Sequence, residues 1–206
     1  KKRQEGDYFE NLFSYSLTMN KLDQNFQPTD GYRTSFTQTI PLISDDKAVE
    51  NSFNAAKYYS INDNLILSAK LFLKAVNSLD DNVRVSKRVY IPSSKLKGFE
   101  SKSIGPKDGT QYIGGNYGSA LNLNTTLPNL LNDFENIDFS LFLDAANLWH
   151  VDYDSSLDSN KIRSATGLAV NWFTPIGPLT FSYAVPLSDA STDKTESFRF
   201  QIGTSF

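Results

Sequence analysis

From Phe198 to Phe206 the chain sets Phe198, Phe200, Ile202 and Phe206 on one side and Arg199, Gln201, Gly203 and Ser205 on the other. A repeat of two residues with one dry and one wet face is a strand pattern, and a helix cannot sustain it. The preceding segment does the same: Leu179, Phe181, Tyr183 and Val185 alternate with Thr180, Ser182 and Ala184, after a turn written Thr174-Pro175-Ile176-Gly177-Pro178. Upstream again, Ile162, Leu168, Val170 and Trp172 oppose Arg163, Ala165, Gly167, Ala169 and Asn171. These segments predict consecutive hairpins. The same alternation predicts strands near residues 137–149, 117–127 and 65–76, and more weakly near 49–59, 32–40 and 9–19. The expectation is therefore nine strands of about ten residues, with no helical periodicity and no solenoid repeat.

Strands of about 10 residues exceed the usual 5 to 6 of soluble proteins and match the 9 to 11 needed to cross a bilayer at a tilt. One face is aliphatic and aromatic, whereas the other is polar or small and carries Lys70, Lys74, Arg163, Arg199 and Gln201, as a water-facing lumen would. Tyr8, Phe9, Trp149, Trp172, Phe173 and Phe206 fall near predicted strand ends, where an interfacial girdle lies. The fold class expected is all-β, an antiparallel transmembrane β-barrel. A soluble β-sandwich with its core on the apolar side gives the same alternation and stays open as the competing class.

Composition removes other classes. Twenty Lys and Arg against twenty-three Asp and Glu give a net charge of −3, without the basic cluster that nucleic acid binding requires. The absence of cysteine excludes disulfides, thiol nucleophiles and zinc–thiolate sites. No apolar run approaches the roughly 18 residues of a membrane helix. An odd strand count departs from the even numbers of bacterial single-chain barrels, so these residues are expected to be part of a larger barrel, or one weak strand is miscounted.

The longest segment that does not alternate contains Leu96-Lys97-Gly98-Phe99-Glu100-Ser101-Lys102-Ser103-Ile104-Gly105-Pro106. It resembles the sixth extracellular loop of the BamA family of outer-membrane assembly insertases, in the superfamily shared with TamA and the two-partner-secretion transporters. That loop carries Arg-Gly-Phe or Arg-Gly-Tyr and, shortly after, Ile-Gly-Pro; Lys97-Gly98-Phe99 and Ile104-Gly105-Pro106 occupy those positions. The resemblance continues, in order, through Pro28-Thr29-Asp30-Gly31, Trp172 to Leu179, Ser182 to Leu187 and Phe198 to Phe206.

The resemblance implies a sixteen-stranded barrel preceded by periplasmic POTRA repeats, of which residues 1–206 are the C-terminal part of one barrel domain, with a long lumenal loop at about 78–115. The repeats and first strands are then absent from these residues. It also implies that Lys97 meets an aromatic-x-Asp motif on the barrel wall, here Phe142-Leu143-Asp144. Alternation agrees independently: with Phe139, Leu141 and Leu143 facing lipid, Phe142 and Asp144 face inward. Lys97 is expected to pair with Asp144 and to lie over Phe142. Lysine is a compact point charge where the family has a planar fork, so the tether is expected to be weaker or differently placed. Taken alone, Lys97 reads as a solvated loop cation and Gly98 as a turn residue; it is Phe142 and Asp144 in register that favour the tether.

The terminal strand also has two readings. Its aromatics suit any outer-membrane barrel; in the insertase family the last strand, here Phe198, Phe200, Ile202, Gly203 and Phe206, forms one edge of a weak seam. No catalytic constellation, metal site or cofactor is expected: His150 is the only histidine, and Asp152, Asp154 and Asp158 lack the glycine and final glutamate of a calcium loop and read as a solvated face. Gly114-Gly115 reads as a loop-to-strand junction.

The function implied by the resemblance is folding and insertion of β-barrel proteins in the bacterial outer membrane, without enzymatic chemistry. The implied partners are unfolded barrel clients, accessory assembly lipoproteins and outer-membrane lipid. The competing functions are translocation or two-partner secretion on the same barrel, a passive porin, and a soluble binding module.

Overall fold

The computed structural model describes residues 7–80, 82–128, 130–131, 136–158, 160–175 and 177–203. Its strands are β1 (Glu10–Leu22), β2 (Gly31–Ser44), β3 (Ala48–Asn62), β4 (Leu65–Ser78), β5 (Lys107–Asp108), β6 (Gln111–Tyr112), β7 (Tyr117–Leu127), β8 (Ile137–Trp149), β9 (Arg163–Thr174), β10 (Gly177–Ser188) and β11 (Phe198–Ile202). Nine of them form one sheet in the order β1-β2-β3-β4-β7-β8-β9-β10-β11, each antiparallel to its neighbour. β5 and β6 make a separate small hairpin inside the long loop that joins β4 to β7.

The all-β expectation and the nine long strands hold, with adjustments that have physical causes. Eight of the nine sheet strands run 11 to 15 residues, longer than the alternation indicated, because pairing continues past the apolar stretch into the polar ends. β11 is shorter: its described part stops at Ile202, where Gly203 takes φ +99°. Phe206 and Ile176, named in the motifs above, lie outside the described residues.

Among the described residues the sheet is open, since β1 and β11 each pair on one side only. It is nevertheless curled. Gln27 in the β1–β2 turn donates to Asp138 on β8 at 3.3 Å, and Phe26 meets Phe173 on β9 edge-on at 5.3 Å; a flat sheet would hold β2 and β8 about 19 Å apart, four strand spacings. Phe173 therefore sits on the inner face, a correction to the girdle position expected for it: it follows Trp172, and successive strand residues point to opposite faces.

The outer face is apolar and uncovered. Leu141, Leu143, Leu168, Tyr183, Phe198 and Phe200 are all exposed, Leu168 at 57%. Among the described residues no second sheet packs on this face, which removes the sandwich alternative: an apolar band of that extent is lipid-facing surface. Among the described residues, no helix is long and apolar enough to cross a membrane.

The two longest connections, the β4–β7 loop and residues 150–162, lie at one end of the sheet, together with residues 189–197. The β4–β7 loop turns back over the inner face. Its Val83, Val89, Ile91, Leu96, Phe99 and Ile104 form one buried cluster with Phe72, Val76, Ala120, Ala146, Leu148 and Ala165 of the wall. Small alanines on β7, β8 and β9 leave the room that the larger loop side chains fill.

Candidate functional site

The site is where that loop meets the wall. Strand β8 alternates strictly, Phe139, Leu141 and Leu143 outward and Ser140, Phe142, Asp144 and Ala146 inward and buried. Lys97 lies over this face. Its ammonium is 3.1 Å from Asp144 Oδ2 and 4.2 Å from the Phe142 ring centre, and its backbone N–H donates to the same Oδ2 at 3.1 Å. Asn122 on β7, in register with Asp144, donates from Nδ2 to Asp144 Oδ1 at 2.8 Å and to the Lys95 carbonyl at 2.8 Å. Asp144 is wholly buried. A carboxylate withdrawn from water needs a cation and its remaining lone pairs occupied, and Lys97 and Asn122 provide both.

Both motif glycines are dictated by this packing. Gly98 has φ +87°, and a Cβ there would sit 3.0 Å from that of Ala165. Gly105 has φ +92°, and a Cβ would come within 2.7 Å of Leu148 Cδ2. Positive φ and the missing side chain together let the backbone lie against the wall. Phe99, Ile104 and Pro106 bury their side chains, and burial of a Phe or Ile of this kind stabilises by about 1.5–3 kcal/mol each. Lys95, two residues before Lys97, stacks on Phe72 at 5.6 Å. Burial, and then the nearby Lys70 charge, holds its ammonium below the usual lysine range.

Several fasteners escaped the sequence. Arg163 on β9 and Asp193 in the last loop are both fully buried and joined at Nε–Oδ2 2.9 Å and Nη2–Oδ1 3.1 Å. Arg88 in the long loop pairs with Asp152 at 2.5 Å, and Asp152 also accepts from the Val83 N–H and from Asn116. The acidic group thus differs from the solvated face expected: Asp152 binds the loop, and Asp158 accepts from the His150 N–H at 2.7 Å. Asp154 caps a 3-10 turn, Ser155–Leu157; the Ser156 hydroxyl and N–H hold its carboxyl below the usual range. The inward position of Arg163 was readable from alternation, whereas Asp193, in a loop, carried no pattern.

The terminal residues Phe198, Phe200 and Ile202 face outward and are exposed, with Arg199 and Gln201 inward. Among the described residues, no group of three or more His, Cys, Asp or Glu is arranged to hold a metal.

A family model described as the Omp85 superfamily domain matches residues 1–206. The chain belongs to the Omp85 superfamily. It is 29% identical over 202 residues to the outer membrane protein assembly factor BamA of Neorickettsia risticii, covering 94% of this chain and 27% of that protein. It is 26% identical over 228 residues to BamA of Neisseria meningitidis serogroup B, covering 91% of this chain and 28% of the relative. In structure it matches BamA from Haemophilus ducreyi lacking POTRA domains 1–3, with TM-score 0.83, 28% identity, and coverage of 92% of this chain and 41% of that one. The chain therefore spans about a quarter of the length of these curated relatives. As an Omp85 chain with this fold it is a protein of the bacterial outer membrane. The apolar outer face is its lipid contact.

Proposed function

We propose that residues 1–206 are the C-terminal part of a barrel that folds and inserts other β-barrel proteins into the outer membrane. They correspond to the eighth to sixteenth strands of sixteen, with POTRA repeats and the first seven strands preceding them in the whole protein. The relatives' greater length and the two unpaired sheet edges support this division; an unpaired edge in lipid costs several kcal/mol for each unsatisfied backbone group.

The observation that carries the functional reading is the loop lodged on the wall at Asp144. A passive pore needs an open lumen, whereas here a hydrophobic cluster and a buried ion pair hold a plug inside it. In this reading Lys97, Gly98, Phe99, Ile104, Gly105 and Pro106 form the plug, Phe142 and Asp144 receive it, and Phe198 to Phe206 provide one edge of the seam presented to clients. Unfolded barrel proteins, accessory lipoproteins and the surrounding lipid are the partners. No covalent step and no cofactor are involved.

The test is Asp144→Ala in the full-length protein as the cell's sole copy. Reduced levels of folded outer-membrane barrels are expected; normal growth with unchanged barrel levels would contradict the reading.

A further inference from the structure

The last loop, residues 189–197, is bonded to the plug. The Glu100 N–H donates to the Lys194 carbonyl at 2.9 Å, the Lys194 N–H to the Ser103 carbonyl at 3.2 Å and the Glu196 N–H to the Gly98 carbonyl at 3.1 Å, and Phe99 and Thr195 form an antiparallel bridge. β11 starts directly after this short ladder. Among the described residues, β11 makes five register pairs with β10, against eleven between β10 and β9.

Arg199, facing inward from β11, ties the strand to the loop. Its Nη1 donates to the Ser93 carbonyl at 2.9 Å and its Nη2 to the Phe99 carbonyl at 2.5 Å, while Nε and Nη2 grip the Glu196 carboxylate. Ser93 and Phe99 are six residues apart in the loop, so their carbonyls converge on one guanidinium only when the loop is folded on the wall. A planar fork can meet both acceptors at once; an ammonium cannot match that geometry.

We infer that Arg199 is a positioning residue that makes the docking of the last strand conditional on the plug, so that release of the loop and fraying of the β11 edge are one event. This rests on the reading of the loop as a plug held by Asp144. Its test reads strand dynamics and not barrel assembly, so either idea can fail without the other.

The experiment is amide hydrogen exchange on the full-length protein in lipid, comparing residues 198–202 with β8 and β9 amides as internal control. Arg199→Gln and Asp144→Ala are each expected to speed β11 exchange about tenfold or more, the scale of one or two lost charge-assisted hydrogen bonds. The double variant is expected to match the singles, and Arg199→Lys to behave like Arg199→Gln. Unchanged β11 exchange in an Asp144→Ala protein whose loop amides have loosened would overturn the inference, as would additive effects in the double. A Glu100→Cys/Lys194→Cys pair, introduced where these residues contain no cysteine, provides a second reading. Oxidising it in the Arg199→Gln background is expected to restore β11 protection by re-seating the loop, and failure to restore it counts against the coupling.

Discussion

The Asp144 carboxylate on β8 accepts from the ammonium and the backbone N–H of Lys97, both at 3.1 Å, with no exposure to solvent. One loop residue therefore brings the wall carboxylate both its counter-charge and a directional hydrogen bond. Lysine thus does here, as a point charge plus its own backbone, what a planar fork would do with two parallel bonds.

Removing that cation should release the loop. Lys97→Met removes the cation paired with the buried Asp144, a loss on the order of 3–5 kcal/mol for a broken buried pair. Protease cleavage within residues 79–116 of the folded protein should rise steeply for Lys97→Met and stay near the parent rate for Lys97→Arg.

Asn122 yields an electrostatic prediction. Its Nδ2 donates to Asp144 Oδ1 at 2.8 Å, so Asn122→Asp replaces a donor by a second carboxylate and sets two like charges against each other. Protease cleavage within residues 79–116 should rise in this variant. Unchanged cleavage would show that residue 122 does not face Asp144.

The motif glycines should resist substitution for separate reasons. Gly98→Ala and Gly105→Ala each put a side chain at positive φ, costing on the order of 1–3 kcal/mol, and Gly105→Ala additionally clashes with Leu148. Paired with Leu148→Ala, Gly105→Ala should cost less than the two single changes together, because the pocket made by one accepts the methyl of the other. Strict additivity in thermal unfolding would contradict the close approach of loop and wall at this point.

Arg163 and Asp193 should show the asymmetry of buried pairs. Asp193→Ala strands an unpaired guanidinium and should destabilise by about 3–5 kcal/mol, whereas replacing both residues by apolar ones of similar size should cost much less. Thermal unfolding of the two variants in lipid measures the difference.

Much of the fold was legible because a lipid-facing barrel wall writes its two faces into alternate residues. That Phe142 and Asp144 share the inner face follows from Phe139, Leu141 and Leu143 alone. Alternation carries no long-range partner, however: Lys97 and Asp144 are 47 residues apart, and only resemblance linked them. Asp193 and Asp152 lie in loops without periodicity, so their roles as fasteners were invisible. The apolar plug core does have a signal in the sequence. Phe72, Val76 and Leu148 fall on inward positions where a watery lumen would carry polar residues, and their presence marks where the loop packs.

The central claim is tested most directly by reconstituting the full-length protein in lipid vesicles and following the folding of an added, urea-unfolded outer-membrane barrel protein into a protease-resistant form. Folding faster than in protein-free vesicles, with the gain lost in Asp144→Ala, is the predicted result. Client folding no faster than in empty vesicles, accompanied by a large and steady conductance, would contradict it and make the chain part of a pore.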